Sequence, residues 1–178
     1  MKIGDYYNDG HIKGVVINVD SSGNHGLIWN LQRHYCQWYD GTKDVHTGAR
    51  HPLDGRINQN IVLQNFSKWD YPAFRWCESL GEGWYLPAIG ELQHLRNNSY
   101  LSAIENTLKK YGGDPLYDGR FIADLYLSST EGDSYPDMAT YATDITMVLV
   151  FCVSAKGGSI TSDTKRSAFE YARAVHRF

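Results

Sequence analysis

Cysteine is scarce in this chain. Cys36, Cys77 and Cys152 make an odd set, and no two stand in a CxxC pair. A disulfide framework is therefore not expected. Cys77 lies in a helical pattern and Cys152 in an apolar run, so both read as small buried hydrophobes. Long apolar runs are missing as well. No stretch approaches the length of a membrane span, so membrane insertion is not expected. Positive charge is not in surplus. The net charge of −3 argues against a nucleic-acid partner. The sequence has no G-x-S-x-G elbow, no P-loop and no H-E-x-x-H. Catalysis thus lacks its common sequence marks. No leader-like segment follows Met1, and Lys2-Ile3-Gly4-Asp5-Tyr6-Tyr7 already reads as domain. The expectation is a leader removed beforehand or an export route without one.

The 178 residues, 42% apolar and 21% charged, have the size and balance of one domain spanning 1–178. Aromatics are plentiful, with 13 tyrosines and 5 tryptophans, several set among Gly, Asp, Asn and Ser. Tyrosine offers rigid contact area and a hydroxyl at little entropic cost, which suits recognition surfaces. It also pins loops to a core. Charge is uneven. Residues 112–144 carry seven acids and one arginine, whereas residues 150–178 carry five Lys or Arg and two acids. Pairing of neighbouring loops and steering of partners both account for such runs.

Val15–Val19 and Leu27–Trp29 are β-rich and flank the turn formers Asp20-Ser21-Ser22-Gly23-Asn24-His25-Gly26. This pattern predicts a hairpin. Residues 32–60 are polar and lack clear periodicity, which predicts a long functional loop. Pro72 opens a helix with Asp70 as a possible cap and Gly81 at its end. Phe74, Cys77 and Leu80 share its apolar face. Trp84-Tyr85-Leu86 reads as a strand ended by Pro87. A second helix carries Leu92 and Leu95, and a third spans about Leu101 to Tyr111 before Gly112-Gly113. Leu125–Ser128 and Ile145–Val153 are strands, the latter apolar on both faces. Gly157-Gly158 offers a turn into Ser159-Ile160-Thr161, and Tyr171–Phe178 closes the chain. Strands at both ends and two to three helices in the middle predict an α+β fold with central antiparallel sheets.

Three segments carry a family resemblance. Gly83-Trp84-Tyr85-Leu86-Pro87-Ala88-Ile89-Gly90-Glu91-Leu92 is similar to G-W-x-L-P-x-x-x-E-L. Tyr126-Leu127-Ser128-Ser129-Thr130-Glu131 is similar to W-S-S-T-E, with Leu127 where an aromatic is usual. Ala172–Phe178 is similar to a closing V-R-x-V-R, with His176 in the place of the second arginine. Together they resemble bacterial C-type-lectin-like domains, related to the C-terminal domain of a collagen-like adhesin and to diversity-generating-retroelement variable proteins. The resemblance implies a C-type-lectin-like fold. It implies a non-enzymatic ligand-binding module of a bacterial surface or phage protein, at the cell surface, secreted or on a virion. Its partner would be a surface glycan or a protein. The alternative is a structural or assembly module of a pilus tip or phage tail.

The same resemblance implies a ligand face between the Ser-Ser-Thr strand and the terminal strand. That stretch holds Ser134, Tyr135, Asp137, Tyr141, Thr143, Asp144, Arg166, Phe169 and Tyr171. Aromatic platforms, short polar groups and one arginine suit recognition. Lectins of this fold that bind sugar through calcium share Glu-Pro-Asn or Gln-Pro-Asp and Trp-Asn-Asp tripeptides. None occurs here. Asp114, Asp118 and Asp124 could still offer oxygen ligands. His34, Cys36, His46 and His51, with Asp40, Asp44 and Asp54, have zinc-ligating chemistry but no trusted spacing. No metal and no cofactor are expected. The related formylglycine-generating enzymes use a late cysteine pair, and Cys152 has no late partner, so an enzyme of that type is the third reading.

Overall fold

The computed structural model describes residues 1–43, 45–119, 123–132, 147–154, 157–166 and 168–178. The fold is α+β, with two sheets. Strands β1 (Tyr6–Asn8), β2 (Lys13–Val19), β3 (Gly26–Trp29) and β9 (Val175–Arg177) form an antiparallel sheet in the order β1-β2-β3-β9. Strands β4 (His34–Gln37), β5 (Ala123–Glu131), β6 (Met147–Ser154), β7 (Gly157–Thr164) and β8 (Phe169–Ala172) form the second, in the order β4-β8-β5-β6-β7. Its pairs are antiparallel except β5–β8. Between them in sequence lie helices α1 (Gly55–Asn65), α2 (Pro72–Ser79) and α3 (Asn98–Lys110), with 3-10 turns at Lys68–Asp70 and Ile89–Arg96. None of the described helices is long and apolar enough to cross a membrane.

The β2–β3 hairpin turns where its polar cluster predicts. Asp20 Oδ1 accepts from the N–H groups of Ser22 and Gly23 at 2.9 and 3.0 Å. This is local side-chain bonding that replaces a ladder. Strand β9 closes on β3, with Ile28 opposite His176. The expected strand at Trp84–Leu86 reduces to a two-bond bridge, in which Tyr85 and Val175 exchange N–H···O bonds of 3.0 and 2.9 Å. Pro87 cannot extend that ladder. The expected turn at Gly157-Gly158 already belongs to β7, where the two glycines pair with Ser154 and Val153.

Alternation along the strands divides the core in two. Val15 and Ile17 of β2, and Leu149 and Phe151 of β6, join Trp29, Leu92, Ile104 and Leu108 in one cluster. Val16, Val148 and Val150 face the other way, into Trp38, Phe74, Cys77, Trp84 and Leu86. Strand β6 is therefore covered on both faces, as its apolar run predicts. Trp84, Leu86 and Leu92 are all buried, but not against one core. Leu92 enters the first cluster while Trp84 and Leu86 enter the second.

Helix α2 starts at Pro72 and buries Phe74 and Cys77, but Asp70 does not cap it. Tyr71 holds the cap position without a side-chain bond, and the Asp70 carbonyl accepts from Asp40 N–H instead. Helix α1 begins inside the stretch that reads as loop, residues 32–60, and runs past its end. Its buried face is Asn58, Gln59 and Val62. Gln59 pairs like a strand, donating to Trp84 O at 3.1 Å and accepting from Leu86 N at 3.0 Å. Asn58 exchanges bonds with His51 N–H and carbonyl, both at 2.8 Å. A helix that buries amides carries no apolar stripe to read. Gly55 opens it because a Cβ there would sit 2.2 Å from Leu86 O.

Buried charges fasten the irregular connections. Glu131 accepts from Thr47 N–H at 2.7 Å, Thr47 Oγ1 at 2.6 Å and Gly48 N–H at 3.2 Å, and pairs with buried Lys165. Burial pushes its carboxyl up, but Lys165 and Thr47 outweigh burial and hold it below its ordinary value. Glu91 accepts from Gly55 N–H, Ala88 N–H and Tyr85 Oη at 3.0, 2.8 and 2.8 Å. Arg173 donates to the carbonyls of Asn30, Leu31, Asp114 and Pro115 at 2.8–3.3 Å.

Two substitutions test this account by urea unfolding. Trp84→Ala is expected to cost roughly 3–5 kcal/mol as a core cavity. Lys165→Met is expected to cost about 3–5 kcal/mol, because it strands the Glu131 carboxylate out of water. A loss below about 1 kcal/mol in either would contradict the packing described.

Candidate functional site

The site lies at the β4 edge of the second sheet. Strand β4 alternates. His34 stacks on Trp76 of α2, with ring centres 5.5 Å apart, and Cys36 is buried beneath that helix. Tyr35 points to the opposite face. There it meets the two β8 residues that share its side, Phe169 at 4.8 Å and Tyr171 at 5.1 Å between ring centres. Tyr35 and Phe169 are 47% and 45% exposed, so two adjacent rings stand open to solvent on paired strands. Isolated exposed aromatics are common; here two open rings are held side by side by a backbone ladder.

Tyr171 is the inner member. The Arg33 guanidinium lies 3.6 Å from its ring centre, and Tyr126 packs at 5.9 Å. Arg33 is itself held. It donates to Asp124 at 2.6 Å, Asp118 at 3.2 Å, Tyr126 Oη at 3.1 Å and the Leu116 carbonyl at 3.4 Å. Burial works against its charge, yet Tyr126 and Asp124 outweigh burial and raise its proton affinity above the ordinary arginine value. Beside this assembly is an open pocket of about 310 Å³, lined by Arg33, His34, Tyr35, Asp114, Pro115, Asp118 and Tyr171. A larger cleft of about 460 Å³ runs between α3 and the β6–β7 end. Its lining is aliphatic and polar, with Tyr117 as its aromatic.

Sequence reasoning reached part of this site. Phe169 and Tyr171 are in it. Arg166 is exposed at the Phe169 end, where its carbonyl accepts from Gln37 Nε2 at 3.3 Å. Tyr135, Asp137, Tyr141 and Asp144, with Ser134 and Thr143, lie outside the described residues. Arg33, Tyr35 and the pocket-lining role of Asp118 were not anticipated. The available signal was the short alternation through His34-Tyr35-Cys36-Gln37, within a stretch read as loop.

Asp44 lies outside the described residues, and most of the other metal candidates take other partners. Asp118 and Asp124 bind Arg33, and Asp114 accepts from Arg33 N–H at 2.8 Å. His46 contacts Glu131 at 2.7 Å, and His51 Nδ1 accepts from the N–H groups of Leu53 and Asp54. Asp54 caps α1. Burial pushes the Cys36 thiol up to about 12, away from the thiolate a metal needs. Among the described residues no group of three His, Cys, Asp or Glu side chains is placed to hold a metal ion.

No family model matches this sequence, and no curated protein matches it. Among solved structures, a fimbrial protein from Bacteroides ovatus is similar in fold, with a TM-score of 0.70 at 17% identity. The match covers 100% of this chain and 49% of that one, so the chain spans about half the length of the fimbrial protein.

Glu170, between Phe169 and Tyr171 in β8, is half-buried. Burial, then Asp163 and Asp124, push its carboxyl from the ordinary 4.5 up to about 7. The folded state therefore binds more protons than the unfolded state between these values. Stability contributed by this group is present below about pH 4.5 and is lost as pH rises towards 7. Glu170→Gln should flatten the pH dependence of Tm across this window. It should stabilise the protein at pH 8 by about 1 kcal/mol, allowing for solvent screening. An unchanged slope would show that Glu170 titrates normally.

Proposed function

We propose that this domain is a non-enzymatic recognition module of the C-type-lectin-like class, carried by a bacterial surface or phage protein, and that it binds a surface glycan. The observation that carries the reading is the open Tyr35–Phe169 pair beside a polar pocket. The apolar C–H face of a pyranose covers an aromatic ring well, while its hydroxyls need acceptors close by. Tyr35 offers the first, and Asp114 and Asp118 offer the second. Strand pairing fixes the rings before a ligand arrives, which lowers the ordering cost of binding. The fold likeness to a fimbrial protein supports a surface setting. The sequence resemblance to diversified ligand-binding domains supports recognition through the last third of the chain, where Phe169 and Tyr171 lie.

One observation favours an assembly role as the second reading. Leu53 and Ile57 are 61% and 42% exposed at the start of α1, an apolar patch suited to a neighbouring subunit. Concentration-dependent association in light scattering, abolished by Ile57→Asp, would favour that role.

Recognition is tested by screening the domain on a glycan array and titrating the best ligand. Tyr35→Ala and Phe169→Ala should each weaken binding about tenfold or more, near 1.4 kcal/mol. Their Tm should change little, since both rings are nearly half exposed. Trp69→Ala removes an exposed ring that packs on Arg75 instead, and should leave affinity unchanged. Binding that is indifferent to both Tyr35 and Phe169 would refute the site.

A further inference from the structure

We infer that the domain carries a second ligand site, a cavity over the β2–β3–β9 sheet that binds an uncharged sugar unit. The cavity measures about 410 Å³, within the range of small-molecule sites. Strand register builds its floor. Asn18 of β2 pairs with Leu27 of β3, and Leu27 pairs with Arg177 of β9, so three neighbouring strands set these residues in one row. The hairpin turn adds Asp20 and His25, and the 3-10 turn adds Gly90, Gln93 and His94. Leu53 supplies an apolar contact. Gly90 N–H donates to the Pro52 carbonyl at 2.8 Å, and a Cβ on Gly90 would sit 2.6 Å from Leu53 Cδ2. The two walls are therefore locked together before any ligand enters.

The polar groups around this cavity are positioned but not used up. Arg177 Nη2 meets Asp54 at 3.1 Å and Glu91 at 3.6 Å, and its Nε donates to Tyr85 Oη at 3.5 Å. These contacts orient the guanidinium. Its Nη1 has no partner among the described residues, which leaves two N–H groups on a planar fork. The side chains of Asn18, His25, Gln93 and His94 also lack a hydrogen-bond partner among the described residues. Solvent exposure accounts for any one of them; the strand register gathers them around one cavity. The charges, by contrast, are already matched. Arg177 faces Asp54 and Glu91, and Asp20 Oδ1 accepts from Ser22 Oγ, Ser22 N–H and Gly23 N–H. What stays open is chiefly neutral hydrogen-bonding capacity, since each amide both donates and accepts. Adjacent sugar hydroxyls offer the same mixture, and a sugar's C–H surface can rest on Leu27 and Leu53. A carboxylate or phosphate would gain the Nη1 donors but would meet Asp20 and Glu91 in the same cavity. This site belongs to the first sheet and does not depend on the Tyr35 platform of the second. Two such sites in one domain would raise avidity for a glycan surface without any new contact.

The isotope-labelled domain should be titrated with free glucose, galactose, mannose and N-acetylglucosamine, with amide and side-chain NMR shifts as the readout. At least one sugar is expected to give saturable shifts at Asn18, Gly26, Gly90, Gln93 and His94, with a Kd in the millimolar range. Gln93→Ala and His94→Ala change exposed side chains and should each weaken binding about threefold or more, as for the loss of one neutral hydrogen bond. Arg177→Lys keeps a cation beside Asp54 and Glu91 but loses the Nη1 donors, and should weaken binding about fivefold or more. Tyr35→Ala should leave these shifts as they are. No saturable shift at these residues with any of the sugars would overturn the inference. Shifts confined to β4 and β8 would overturn it too, and would leave the recognition reading standing. Binding undiminished in all three cavity variants would overturn the assignment to this cavity. Glucuronic acid bound more tightly than glucose would overturn the uncharged class.

Discussion

A single buried guanidinium holds together the part of the molecule that matters most here. Arg173 is buried, and its two terminal nitrogens donate to main-chain carbonyls from two separate segments, Asn30-Leu31 and Asp114-Pro115. Burial lowers its proton affinity from the ordinary arginine value, but arginine retains its proton far into such environments. Those two segments lead directly into Arg33 and into the Asp114–Asp118 wall of the pocket. The pocket is thus positioned from the core outward. Trp29 and Tyr126 flank the same guanidinium, which ties the aromatic core to the carbonyl cluster.

Glu131 and Glu91 do the complementary work on N–H groups. The described residues of the connection from β4 to α1 have no regular structure, so their backbone donors need partners from elsewhere. Glu131 supplies them at Thr47 and Gly48, and Glu91 supplies one at Gly55. A long aperiodic segment is thereby held on buried acidic side chains that come from elements later in the sequence. Such anchoring is specific because each buried carboxylate is stable only when all its donors are present.

The sequence made legible whatever follows apolar period. The β2–β3 hairpin, α2, α3 and β6 all bury alternating or three-to-four-spaced hydrophobes, and each stands close to its expected place. Helix α1 escaped because its inward residues are Asn58 and Gln59, whose burial depends on partners at His51, Ser129, Trp84 and Leu86. No local pattern announces a bond across the domain. The site was legible in half. Phe169 and Tyr171 lie in the stretch implied by the family resemblance. Tyr35 lies in a four-residue strand too short to establish a period, and Arg33 is defined only by acids far along the chain.

The inverted polarity of α1 also has a kinetic side. Short helices are marginal in water, and most draw their stability from an apolar face that collapses early and without direction. Helix α1 has little such face turned inward. Gln59 gains nothing over solvent until the Trp84–Leu86 segment is already in place to receive it. That segment is in turn set by the bridge to Val175, near the end of the chain. Helix α1 therefore orders late, behind contacts of long sequence separation, and the domain folds with the slowness of its non-local topology rather than the speed of its helices.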